Sequence, residues 1–133
     1  MSKSAGMTLI ELMIAVVIVA VLAGIAYPSY MQHVRTSRRT EATSALVRLA
    51  NLEERYYLDN NQYGSVLQLT SAATYTSTNG YYTVTITTGG TSSATYTLTA
   101  TATGVQASDT DCATFTLTQD GTRSSSSSNT CLQ

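Results

Sequence analysis

From Leu12 to Ala26 the chain reads Leu-Met-Ile-Ala-Val-Val-Ile-Val-Ala-Val-Leu-Ala-Gly-Ile-Ala, with no polar side chain in the run. As an α-helix, residues 7–27 would rise about 31 Å, close to the hydrocarbon thickness of a bilayer. A single carboxylate, Glu11, sits at the head of this stretch. A charged side chain at mid-membrane costs about 2.5–3.5 kcal/mol on insertion scales, so it persists where it has a partner and a task.

A cleaved secretory signal is the competing interpretation, with Ala23-Gly24-Ile25-Ala26 offering small residues for cleavage after Ala26. It leaves Glu11 without a reason. Flanking charge does not settle orientation. Counting Arg35, Arg38 and Arg39 beyond the segment places that side in the cytoplasm. Cys112 and Cys131, the only cysteines, lie in a polar setting beyond the apolar run and suggest a disulfide in an oxidising compartment, rather than two unrelated thiols. We follow the cysteines and place the second half of the chain outside.

The helical pattern resumes past Pro28, which lacks an N–H and is expected to kink the helix rather than end it, with Gly24 one turn earlier. Ala42, Ala45, Leu46, Leu49, Leu52 and Tyr56 recur at steps of three and four, while Arg48, Glu54 and Arg55 fall mostly off that stripe. Asn60, Asn61 and Gly64 stop the helix near residue 59. The period then changes to two. Tyr82, Val84 and Ile86 alternate with threonines, as do Tyr96, Leu98, Ala100 and Ala102 after a Gly89-Gly90 turn, and Phe115 and Leu117 before Asp120-Gly121. The spacing predicts an α+β fold: a long N-terminal helix, transmembrane in its first half, packed on a small antiparallel sheet of three to four strands. The expected divisions are a leader at 1–6, a transmembrane or filament-core helix at 7–28, its amphipathic half at 29–59, a loop at 60–80, and the sheet with a disulfide-bounded region at 81–133. Ser124 to Ser128 are too polar to pack and are expected to be mobile.

Several chemistries are unsupported. Charged residues make up 11% of the 133 residues and the net charge is −1, which describes neither a basic nucleic-acid binder nor an acidic tail. With His33 the only histidine, a multi-histidine metal site is excluded and a Ser-His-Asp triad is improbable. Asp109, Asp111 and Asp120 read as turn residues before they read as a calcium site. Arg35, Arg38 and Arg39 could meet DNA or lipid phosphates, but a solvated stretch or pairing with Glu41 is the preferred reading. Tyr27 and Tyr30 fit an interfacial belt, Tyr56 and Tyr57 a helix–sheet seam. No enzyme, metal or cofactor is expected.

Gly6-Met7-Thr8-Leu9-Ile10-Glu11, the apolar helix, Pro28 and Tyr30 together resemble the type IV pilins and their relatives, the type II secretion pseudopilins. Asp111-Cys112-Ala113-Thr114-Phe115-Thr116-Leu117 with the late Cys131 is similar to the disulfide-bounded end of pilins rather than pseudopilins. The resemblance implies that a membrane prepilin peptidase cuts after Gly6, that Met7 is N-methylated, and that Glu11 is needed for filament assembly. It implies a structural subunit of a pilus filament, held in the inner membrane with its head outside and then moved to an extracellular fibre. The fibre would serve adhesion, twitching motility or DNA uptake. Its partners would be further copies, other pilins, the inner-membrane assembly platform, and lipid before assembly; DNA is a possible partner without support in the sequence. Met7 stands where the commonest subclass has Phe, and Ala20 replaces a glycine, so unwinding in a filament would span only Gly24 to Pro28. A monomeric membrane-anchored binding domain is the reading outside this class.

The physics of Glu11 agrees with the resemblance. Cleavage creates an α-amino group with a pKa of about 7.7–8, mostly cationic at neutral pH. Pairing it with Glu11 of a neighbour offsets two burials and fixes register. Thr8 and Glu11 also have the spacing of a capping box, which needs only backbone N–H groups and competes with nothing.

Overall fold

The computed structural model describes residues 6–127 and Cys131. It forms two compact units, residues 1–34 and residues 35–133. Helix α1 (Leu9–Asn60) runs 52 residues through Pro28 without ending. The missing proline N–H removes one hydrogen bond while the turns on either side keep theirs. The start is capped by Thr8, whose hydroxyl accepts from the Glu11 N–H at 3.3 Å. At the other end Asn60 donates its side-chain amide to the Tyr56 carbonyl at 3.0 Å, and Asn61 turns left-handed at φ 55°. These are the residues expected to stop the helix.

In the first unit, every described side chain from Gly6 to Tyr30 is exposed. Among the described residues, α1 is the one helix long and apolar enough to cross a membrane.

The second unit has a core of its own. Helix α1 presents Ala42, Ala45, Leu46 and Leu49 to a five-stranded antiparallel sheet in sequential order. The strands are β1 (Tyr75–Thr76), β2 (Tyr82–Gly89), β3 (Thr95–Ala102), β4 (Thr114–Thr118) and β5 (Arg123–Ser125). Val84 faces Ala100, Ile86 faces Leu98, and Ala100 faces Phe115 across neighbouring strands, so one face is apolar. Burying a side chain such as Leu49 or Leu98 stabilises by about 1.5–3 kcal/mol. Tyr82 and Phe115 meet edge to face at 5.8 Å within this layer. The opposite face is threonine on every central strand, with Thr85 beside Thr99 and Thr99 beside Thr116.

The three central strands are those the alternation predicts. The two edge strands are additions. β1 lies within the 60–80 segment, which also holds the short helix α2 (Val66–Thr70), capped by a Ser65–Gln68 capping box. β5 takes Ser124 and Ser125 from the serine run, against the expectation that the run is mobile. Backbone pairing with β4 needs no apolar side chain, and the Thr116 and Ser124 hydroxyls also meet across the strands. Ser128 lies outside the described residues. Cys112 and Cys131 form a disulfide with 5.7 Å between their Cα atoms, both buried.

Candidate functional site

The residues singled out in the N-terminal segment lie along one exposed stretch. Gly6 and Met7 precede α1 in exposed backbone. Glu11 stands in the first turn, and its carboxylate makes no hydrogen bond or ion pair among the described residues. Only its N–H is engaged, by Thr8. Leu12, Val16, Val19, Leu22 and Ile25 are each at least 54% exposed. A surface this large and apolar requires a cover. Gly24 and Pro28 are both helical.

The arginine group behaves differently from the sequence expectation. Arg39 pairs not with Glu41 but with Asp109, donating from Nε and one Nη at 2.8 Å each. Arg38 lies over the Tyr81 ring, 4.4 Å from its centroid. Asp109, read from sequence as a turn residue, is 4% exposed. Gln106 lies beside it, fully buried, donating to Asp109 at 3.0 Å, to the Tyr82 hydroxyl at 3.2 Å and to the Arg35 carbonyl at 3.4 Å. The hydrogen bonds that Arg39 donates to the Asp109 carboxylate raise the Arg39 pKa above its ordinary value. Arg39 and Asp109 are 70 residues apart, and no local pattern in the sequence links them.

Glu41 instead ties the helix to the turn before β2. It accepts from the Ser77 hydroxyl at 2.8 Å, from the Asn79 N–H at 3.3 Å and from the Asn79 side chain. Burial pushes its carboxyl up, but these donors outweigh that and lower the pKa overall.

Glu53 is a functional candidate that the sequence reading passed over. It is fully buried, and one carboxylate oxygen accepts from the Gly64 N–H at 2.8 Å. The other oxygen has no partner among the described residues. Burial holds its carboxyl above the usual range. Gly64 fits because a Cβ there would come within 3.2 Å of the Tyr56 ring. A signal did exist: Glu53 follows Leu49 by four residues, on the apolar stripe. Around it, Tyr63 stacks on Tyr57 and meets Tyr96 edge-on, with ring centroids 4.7 Å apart in both pairs. The Tyr96 hydroxyl is pushed up to about 12 by burial and by Glu54.

One open face of α1 is lined by Val47, Arg48, Asn51, Leu52 and Arg55 among others. Neither arginine makes an ion pair among the described residues. Among the described residues no cluster of His, Cys, Asp or Glu is suited to a metal ion.

Two segments of the chain match known families. Residues 1–27 match the family described as prokaryotic N-terminal methylation motif. Residues 28–116 match the family described as type IV minor pilin ComP, DNA uptake sequence receptor. No curated protein matches the chain at a significant level. Among solved structures, a type IV pilin from Shewanella oneidensis is 26% identical, with 67% of this chain and 89% of that one covered at a TM-score of 0.51. The non-core minor pilin PilV of Neisseria meningitidis is 25% identical, with 73% and 91% covered at a TM-score of 0.52.

Proposed function

We propose a function from one premise: the chain belongs to the type IV pilins, in the minor pilin ComP family. Pilins of this kind are structural subunits, and the apolar helix and methylation motif fit membrane anchoring and pilus assembly. Our reading is that the leader, residues 1–6, is removed after Gly6 and Met7 is methylated. Residues 7–28 then leave the inner membrane for the core of a fibre, and residues 29–59 carry the head outside it. The exposure of every large apolar side chain from Met7 to Tyr27 carries this reading. Lipid covers that surface before assembly, and the helices of neighbouring subunits cover it afterwards. Glu11, whose carboxylate has no partner among the described residues of its own chain, takes the amino terminus of the next subunit.

The test is Glu11→Ala in cells. Membrane insertion should persist while the chain disappears from sheared surface fibres. Undiminished recovery in fibres would refute the assembly role. The closed Cys112–Cys131 disulfide favours a pilin over a pseudopilin.

A finer reading concerns what the fibre does. The family is described as a DNA uptake sequence receptor, and the matched span, residues 28–116, is chiefly the head. We therefore read the head as contacting DNA, ahead of adhesion or twitching motility alone. Purified full-length chain in mild detergent should bind duplex DNA at about 50 mM salt and release it as salt rises. Absence of binding at low salt would remove DNA uptake from the reading and leave the fibre role intact.

A further inference from the structure

We propose that residues 61–71, the strap between α1 and β1, open and close with pH: protonated Glu53 holds the strap shut, and ionised Glu53 releases it. Asn61 and Ser71, left-handed at φ 55° and 59°, mark its two ends. Helix α2, which lies between them, has no buried residue. Tyr63 and Leu69 pack partly against the core. The hydrogen bonds from the Tyr63 hydroxyl to Glu54 at 3.4 Å and from the Gln68 amide to the Tyr56 hydroxyl at 3.0 Å are exposed. The Tyr63 N–H donates to the Ser93 carbonyl at 3.0 Å. By contrast, the bond from the Gly64 N–H to Glu53 at 2.8 Å is buried. The fit there is close, because a Cβ at Gly64 would meet the Tyr56 ring at 3.2 Å and Leu69 at 3.3 Å.

The surroundings of Glu53 suit a neutral acid. Its side chain is fully buried, and one oxygen has no partner among the described residues. A carboxylic acid needs one donor to its carbonyl oxygen, which Gly64 supplies, whereas a carboxylate has room for several. No cation pairs with Glu53 among the described residues. The titratable groups around it are Glu54 on α1, Tyr63 on the strap and Tyr96 on β3, with Tyr57 stacked on Tyr63. Glu54 repels a second negative charge, and phenols ionise only near pH 10. Ionisation of Glu53 must therefore bring water to it. Parting α1 from the sheet would give up the burial of Leu49, Tyr82 and Phe115. Lifting Gly64 gives up one buried hydrogen bond and bares Tyr63 and Leu69, so the strap moves first. The closed strap binds the proton more tightly than the open one. Closure is strongest below about pH 4.3 and weakens up to tenfold per unit as pH rises towards the raised pKa of Glu53.

The experiment follows amide hydrogen exchange by NMR on the full chain in detergent micelles, from about pH 4 to 8, as protection relative to the intrinsic rate at each pH. Protection at Gly64 should fall about tenfold or more across this range, while Leu98 in β3 keeps its own. Glu53→Gln retains an acceptor for Gly64 and cannot ionise, so its Gly64 protection should stay level. Glu54→Gln should keep the fall and move it to lower pH, since it removes only a repulsion. Level protection in the parent, an equal fall in Glu53→Gln, no fall in Glu54→Gln, or parallel loss at Leu98 each overturns the proposal. Should Glu53→Gln fail to fold, the carboxyl carbon resonance of Glu53 in the parent decides. It must titrate over the same pH span in which Gly64 loses protection, and titration elsewhere refutes the strap.

Discussion

Arg39 grips Asp109 through two parallel hydrogen bonds of 2.8 Å, joining helix α1 to the segment between β3 and β4 across 70 residues of chain. The pair is mostly buried, with 19% of the Arg39 side chain and 5% of the Asp109 side chain exposed. It anchors the 3-10 turns Gly104–Ser108 and Thr110–Cys112, and so the cysteine that closes the disulfide. Removing one partner strands the other in a poorly solvated site. Asp109→Asn should destabilise the head by about 3 kcal/mol. Adding Arg39→Ala should then cost little more, a coupling that a double-mutant cycle in denaturant detects. A variant as stable as the parent would show that the pair is incidental.

Two carboxylates on α1 respond to pH in opposite senses. Burial raises the Glu53 pKa, against the Gly64 N–H that favours the ionised form and with Glu54 adding repulsion. Its contribution to stability is therefore complete below the unfolded value of about 4.3 and is lost as pH rises through the folded pKa. The Glu41 pKa is lowered despite burial, by Asn79 and Ser77, so its contribution is present above the unfolded value and is lost as pH falls. Glu53→Gln should flatten the decline in melting temperature above about pH 4.3, and Glu41→Gln should flatten the loss on the acid side. Melting curves from about pH 3 to 7 check both, and an unchanged profile for either variant counts against its assignment.

The Cys112–Cys131 bridge spans a sequence separation of 19 and fastens the end of the chain next to β4. In the chain-entropy model, closing a loop of this size is worth roughly 3 kcal/mol. Reduction with a thiol-free reductant should lower the midpoint of head unfolding by that order. An unchanged midpoint would mean that the sheet and the Arg39–Asp109 pair hold this end without help.

Processing has a direct readout. Mature protein isolated from membranes should begin at N-methylated Met7, with a mass consistent with loss of residues 1–6. A mature chain beginning at Met1 or at Tyr27 would contradict the pilin route, and Gly6→Ala should shift the population toward unprocessed chain.

Local periodicity made much of this architecture legible in the sequence. The apolar run, the stripe through Ala42 and Leu49, and the threonine alternation around Val84, Leu98 and Phe115 each describe one element and its buried face. Chain punctuation at Asn60 and Asn61 set the end of α1, since capping depends on neighbouring residues. The Gly6–Glu11 motif likewise points to the family without reference to the fold. Edge strands escaped notice because β1 and β5 are held by backbone hydrogen bonds that a serine or threonine supplies as well as a valine.

Which segments are helix or strand, and which side of each is apolar, follows from residues a few positions apart and is therefore written in the chain. Which charges are neutralised follows only from the folded arrangement. Arg39 found Asp109 rather than the nearby Glu41, Glu41 turned to Ser77 and Asn79, and Glu53 was buried against Gly64. Electrostatic partners are chosen by distance and desolvation in space, and the chain brings them together only after its apolar faces have closed.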